Sequence, residues 1–163
     1  MEFTKISEKL NAKFGDGIIS IEESDMPTIV VDENKVHELI GFLKTDTELQ
    51  YHFLTTLCGL HYPGNDKPIG IMIQLHNLPK NKRIRVKSFT KEEDSKFKTF
   101  TDLFPAANWM ERETYDFFGI KFDGHPDLRR ILNMDSMVGW PLRKEHPLED
   151  QNRYDKDDKM FGR

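Results

Sequence analysis

The chain has 163 residues and a mass of 19.2 kDa, with 37% hydrophobic and 32% charged residues. That is enough for one domain burying roughly 70% of the surface its unfolded form exposes. The formal net charge is -4, from 24 Lys+Arg against 28 Asp+Glu, which argues against a charge-driven nucleic-acid or anionic-membrane binder while leaving room for a local basic patch. Cys58 is the only cysteine, so this chain alone builds neither a disulfide nor a thiolate cluster for zinc or iron–sulfur ligation, and a reducing compartment is the simpler reading. No apolar run approaches the roughly 18–20 residues that span a bilayer. The N-terminal MEFTKISEKLNAKF lacks the apolar core of a secretory signal, so the expected location is the cytoplasm.

In chain order, Phe3, Ile6, Leu10 and Phe14 line one face of a first amphipathic helix, and Gly15-Asp16-Gly17 makes a turn. The β-branched runs Ile18 to Ile21 and Thr28 to Val31 read as strands. Asp32 is placed to cap a helix in which Val36, Leu39, Ile40 and Leu43 recur with helical spacing. Between Tyr51 and Tyr62 the spacing of Phe53, Leu57 and Leu60 predicts a short helical turn followed by a strand. Residues 70–75 and 83–87 are the clearest strands; in the second, Ile84 and Val86 alternate with basic residues, so the sheet has a wet side and antiparallel neighbours are favoured. A helical region is expected from Phe97 through Phe100 and Phe104, punctuated by Pro105 and resuming from Ala106 to Phe118, with Gly119 as its stop. The fold class is α+β: a small mixed, mostly antiparallel sheet packed with helices over residues 1–118.

Residues 119–150 differ in kind. Pro126, Pro141 and Pro147, scattered glycines and many charges exclude regular periodicity, while Phe122, Leu128, Ile131, Leu132, Met134, Val138, Trp140 and Leu142 make the stretch too apolar for a free linker. Structureless stretches beyond about 12–15 residues are uncommon in a compact domain unless functional or disordered, so this one reads as an extended arm lying on some surface. The remainder, 151–163, is nearly all polar and reads as a disordered tail.

The chain shows no internal repeat, glycine-rich phosphate loop or nucleophile elbow. Its six histidines, at 37, 52, 61, 76, 125 and 146, lack the paired spacing of common metal motifs. The densest ionisable cluster is NWMERETYDFFG, 108–119, where Arg112 and Asp116 share a helical face with Trp109 and Glu113 lies a turn from Trp109 and Phe117. A solvated helix face is the plain reading; packed against something, the same charges must be paired. Glu111, Glu113, Asp116 and His125 together could serve an acid/base enzyme, but clusters of this density are more often structural or interfacial. In HPDLRRIL, 125–132, Arg129 or Arg130 either reaches back to Glu111, Glu113 or Asp116 and pins the arm to its own domain, or points outward to grip a partner's carboxylates. The same ambiguity holds for Arg143 and Lys144 in GWPLRKEHPL.

The run AANWMERETYDFFGIKFDGHPDLRRIL followed by GWPLRKEHPL resembles the signature of the C-subunit family of NADH:quinone oxidoreductase, the hydrophilic subunit of respiratory complex I. Trp109, Glu111, Arg112, Glu113, Asp116, Phe117, Phe118 and Gly119 carry its first part. His125, Pro126, Leu128, Arg129, Arg130, Ile131 and Leu132 carry the second, and Pro141, Leu142, Arg143, Lys144 and Pro147 the third. Two positions depart from the family pattern: Trp140 stands where histidine or tyrosine is frequent, and Glu145-His146 where an aspartate and an aromatic are frequent; Trp140 and His146 still offer a flat contact surface. The resemblance implies a structural and assembly subunit without a redox centre of its own, on the cytoplasmic side of the bacterial inner membrane. It implies contact with other complex I subunits, chiefly the large quinone-site subunit and the small cluster-bearing one, while NADH, FMN, iron–sulfur clusters and quinone are handled outside this chain. The equivalent subunit of a membrane-bound hydrogenase or ferredoxin-linked complex is the alternative implied by the same motifs.

Overall fold

A computed structural model describes residues 3–23 and 26–146. Its elements are α1 (Phe3–Phe14), β1 (Ile18–Glu22), β2 (Thr28–Val31), α2 (Val36–Thr45), β3 (Phe53–His61), β4 (Ile69–Asn77), β5 (Lys82–Thr90), β6 (Lys96–Lys98), α3 (Ala107–Phe118) and β7 (Lys121–Asp123). The five-stranded sheet runs β1-β2-β5-β4-β3, and β6 pairs with β7 in a second, two-stranded sheet. All neighbours in the large sheet are antiparallel except β2 and β5. The class is α+β with a mixed sheet, as the alternation along β5 predicts.

Alternation sorts the two faces of the sheet. Leu57, Ile73, Val86 and Ile29 lie in register across β3, β4, β5 and β2, all buried with Leu10 of α1 and Leu39, Ile40 and Leu43 of α2 in one core. Asp32 does not cap α2 directly. Its carboxylate accepts the Asn34 N–H at 2.9 Å and its carbonyl accepts the N–H groups of Lys35 and Val36, an Asx turn that feeds the chain into the helix.

Two further sequence expectations are corrected. The predicted helical turn after Tyr51 is absent, and β3 is strand throughout from Phe53 to His61. Phe53 is exposed, Leu57 faces the core opposite Ile73, and Leu60 lies on the other face opposite Gly70, so the three residues at helical spacing share no face. A bulge between Leu54 and Thr56 brings Leu54, not Phe53, onto the core face with Leu57. The helix expected from Phe97 begins only at Ala107. Phe97 is instead the inward residue of β6, between exposed Lys96 and Lys98, and Phe100 and Phe104 are buried in the turn that follows. Three phenylalanines at helical intervals are here a strand and a turn facing one core. Past α3, Ile120 and Phe122 also enter that core.

The end of α3 packs on the core face of β3, where Gly59 is paired with Ile71. A Cβ built at Gly59 would meet the Phe118 ring at 2.4 Å, closer than atoms pack. Gly59→Ala is therefore expected to cost about 1–3 kcal/mol by overpacking. Combining it with Phe118→Leu should return part of that loss; additive effects in thermal melts of the single and double variants would show that the two sites are uncoupled.

Candidate functional site

Helix α3 carries the charged cluster, and the structure divides that cluster between the core and the solvent. Glu111 and Asp116 are fully buried, whereas Trp109 is 65% exposed and Glu113 is exposed. The solvated-face reading is thus wrong for the two carboxylates. Glu111 Oε1 accepts the Phe100 N–H at 2.7 Å, and Oε2 lies 2.7 Å from Thr99 Oγ1. Burial pushes its carboxyl up to about 7, against which the two bonds act in the opposite direction.

Asp116 is the centre of the arm. Its Oδ2 accepts the backbone N–H groups of Ile131 (3.1 Å), Leu132 (2.8 Å) and Asn133 (2.9 Å). Its Oδ1 accepts Arg130 Nη1 at 2.9 Å and Asn133 Nδ2 at 3.1 Å. Burial alone would raise this carboxyl; the N–H groups of Asn133 and Leu132, the Arg130 guanidinium and the Asn133 amide hold it well below the usual carboxylate range. Arg130 continues the network, donating through Nη2 to the carbonyls of Met137 and Gly139 at 3.1 and 3.0 Å and lying 4.7 Å from the Trp140 ring centroid. Arg112 does not pair with Asp116 across one helical turn; it donates to the carbonyls of Arg129 and Arg130. Residues 129–140 are therefore wound about one buried ion pair.

The remaining predicted residues fall into place around this hub. Gly119 ends α3 with φ 74° and leaves the space that the Trp140 indole occupies, 2.4 Å from where a Cβ would sit. Trp140, against Tyr115 at 5.3 Å, is an internal packing piece rather than a flat outward contact. Phe117 O accepts the Leu142 N–H. Arg143 is buried and donates to Phe118 O at 2.7 Å and to Glu92 at 2.6 Å. The Lys144 N–H donates to His61 Nδ1 at 2.9 Å, so that nitrogen carries no proton toward Glu145. His125 takes the Asp127 N–H on Nδ1 and faces Asn108 O with Nε2, so both ring nitrogens are occupied. That arrangement leaves it no free atom for acid/base work with Glu113. Leu128 packs on the core, Pro126 is exposed and Pro141 half-buried. Among the described residues Arg129 pairs with its exposed neighbour Asp127 alone. Pro147 lies outside the described residues.

Of the two arrangements open for the arginines, Arg130 adopts the one that pins the arm to its own domain. Sequence reasoning missed Asn133, Glu92, His61 and Thr99 as partners, and the carbonyls of Met137 and Gly139 carry no side-chain signal. What the clamped loop presents outward is apolar: Leu132 is 67%, Met134 76% and Val138 94% exposed, joined by Leu142. Among the described residues, no group of three or more His, Cys, Asp or Glu is placed to hold a metal ion, and no helix is long and apolar enough to cross a membrane.

The two carboxylates generate opposite pH responses. Because the folded Glu111 holds its proton where the unfolded chain has released it, its contribution to stability declines as pH rises from about 4.5 to about 7. In paired melts across that window, Glu111→Gln should show a flatter pH dependence than the parent chain; parallel curves would exclude a titrating Glu111. The Asp116 network contributes fully above the usual value of 3.8 and is lost as pH falls below it. Asp116→Asn leaves Arg130 without its counter-charge, at a cost of about 3 kcal/mol. Amide exchange should accelerate over 130–146 while β3–β5 remain protected, and a protected arm in the variant would contradict the assigned latch.

Residues 29–152 match the family model described as the respiratory-chain NADH dehydrogenase 30 kDa subunit. The chain is 38% identical over 156 residues to the NADH-quinone oxidoreductase C subunit of Methylobacterium sp. (strain 4-46), covering 94% of this chain and 72% of that one. Against the same subunit from Geobacter sulfurreducens the identity is 37% over 147 residues, 89% of this chain and 90% of the relative. Among solved structures, the trypsin-resistant fragment (1-134) of Nqo5 aligns with a TM-score of 0.68 at 30% identity, over 78% of this chain and 100% of the fragment. A chain of the membrane-bound sulfane sulfur reductase, an archaeal respiratory membrane complex, shares the fold with a TM-score of 0.76 at 18% identity, over 94% and 99%. With the family model spanning most of the chain and these relatives matched along most of their own length, the chain belongs to the respiratory-chain NADH dehydrogenase 30 kDa subunit family.

Proposed function

We propose that this protein is a non-redox structural and assembly subunit in the peripheral arm of a proton-translocating NADH:quinone oxidoreductase, supporting electron transfer from NADH to quinone without carrying electrons. It is a part of the enzyme rather than a catalyst by itself. The observation that carries this reading is the arm: a loop closed on Asp116 and Arg130 that satisfies its own polar groups and turns Leu132, Met134 and Val138 to the outside. Exposed apolar side chains on an internally ordered loop suit a permanent contact between subunits, in which burial is gained without much further ordering. The partner proposed for residues 119–150 is the large quinone-site subunit, and the small cluster-bearing one lies beside it. The complex sits on the cytoplasmic side of the inner membrane, and this chain reaches the membrane only through its partners.

The single thiol supports the non-redox role. Cys58 is half-buried, and burial, with the nearby Glu113 charge, raises its pKa, the reverse of what a metal-ligating or reactive thiolate needs. NADH, FMN, iron–sulfur clusters and quinone belong in this reading to other subunits.

Two measurements test the proposal. The purified chain should oxidise no NADH and reduce no quinone; turnover of either would remove the non-catalytic role. Replacing Leu132, Met134 and Val138 together by Asp should leave the melting temperature within a few degrees of the parent, because these side chains contact solvent. The same variant should lose, by tenfold or more, its co-purification of the large quinone-site subunit, and undiminished recovery would show that the loop is not the contact.

A further inference from the structure

The face of the large sheet opposite the core carries a row of cations that form no ion pair among the described residues. Register places Arg83, Arg85 and Lys87 of β5 on that face, beside His76, Gln74 and Met72 of β4 and, for the last two, Thr28 and Val30 of β2. None of these cross-strand neighbours is acidic. Side chains on one face of a strand repeat about every 6.6–6.8 Å, so the three charges form a line along the strand. Arg83, Arg85 and Lys87 make no ion pair with any described residue, and Arg85 Nε is buried without a hydrogen-bond partner. Glu22 on edge strand β1, in the register row of Arg85 through Thr28, and Glu113 on α3 pair with none of the three. The row also runs against the chain's net charge of -4.

Beside the cations the same face holds half-buried apolar groups: Met72 and Cys58 in one register row and Leu60 in the next. None of them belongs to the core, which gathers its helices on the other side. A sheet face with an apolar strip bordered by a line of positive charge is the counterpart of a helix with an apolar stripe and a carboxylate edge. On such a helix residues i and i+4 repeat at about 6 Å, close to the spacing of the row.

We propose that the outer face of the sheet docks an acidic amphipathic helix of a neighbouring subunit, its Asp and Glu side chains engaging Arg83, Arg85 and Lys87. This deepens the subunit reading above and rests on it, while using a surface other than the arm.

Carbodiimide joining of lysines to carboxylates and acetylation footprinting on the intact assembly test the inference, with exposed Lys82 and Lys121 as internal references. Lys87 is expected to crosslink to Asp or Glu of another subunit, and its acetylation to fall at least tenfold on going from the isolated full chain to the complex. Arg83→Glu with Arg85→Glu, which leaves the Lys87 amine in place, should abolish that crosslink while the arm still co-purifies the large quinone-site subunit. Lys87 labelled equally in both states, in a complex that has assembled, would overturn the inference and leave the subunit reading intact. Crosslinks from Lys87 to residues 147–163 in the isolated chain would give the face to the chain's own end. Protection of Lys87 only by vesicles of anionic phospholipid would give it to a lipid surface, and either result also overturns the proposal. Failure to recover any other subunit with this chain would instead refute the subunit reading.

Discussion

The arm's conformation depends on a single carboxylate removed from water. Asp116 accepts from three consecutive backbone N–H groups, a guanidinium and an amide, and residues 131–133 belong to no helix or strand that would pair those N–H groups instead. An irregular stretch packed against a protein must find partners for each of its backbone groups. Here a side chain on α3 serves as the acceptor and Arg130 as the matching donor for carbonyls further along. The loop is thereby ordered by charge-assisted hydrogen bonds, which are stronger than neutral ones, while its apolar side chains remain available. In a polar loop held by a hydrophobic core those roles would be reversed.

Helix α3 also shows how environment separates two chemically similar groups. Glu111 and Asp116 are both fully buried on the same helix, yet one is pushed up to about 7 and the other held well below its usual range. Burial acts on both in the same direction; donor supply differs. Glu111 has one N–H and one hydroxyl, with Asp102 adding a repulsive charge, whereas Asp116 has five donors including a cation. The first is a core group tolerated near neutrality, and the second exists as an anion because a whole segment is folded around it.

Much of this was legible in the residues. The alternation of Ile84 and Val86 with cations gave β5 and its wet face, the spacing from Val36 to Leu43 gave α2, and the ordered string from Trp109 to Leu132 marked the segment that forms the latch. The failures were instances where geometry imitates another period. Phe53, Leu57 and Leu60 recur at helical spacing on a strand without sharing a face, and Phe97, Phe100 and Phe104 met one core from a strand and a turn. Pairing inside the site was not legible, because Arg130 could reach Asp116 or a partner with equal chemistry, and the carbonyls of Met137 and Gly139 leave no mark on the sequence. Arg112, set four residues before Asp116, suggested a helical pair that the backbone of Arg129 and Arg130 claims instead.

The clamped loop and the cationic sheet face divide the chain's surface into two kinds of contact. At the loop, ordering has already been met inside the domain, and since fixing one residue's backbone costs about 1–2 kcal/mol, a ten-residue loop that was free before binding would forfeit much of what apolar burial returns. At the sheet face the strands are rigid and the charges unpaired, so desolvation of Arg83, Arg85 and Lys87 is what a partner must offset. Carboxylates aligned with the strand repeat would do so, and in the proposed contact that face selects for charge and spacing where the loop selects for shape. In the proposed assembly the loop holds one neighbour by preordered apolar contact, and the sheet face discriminates another by electrostatic register.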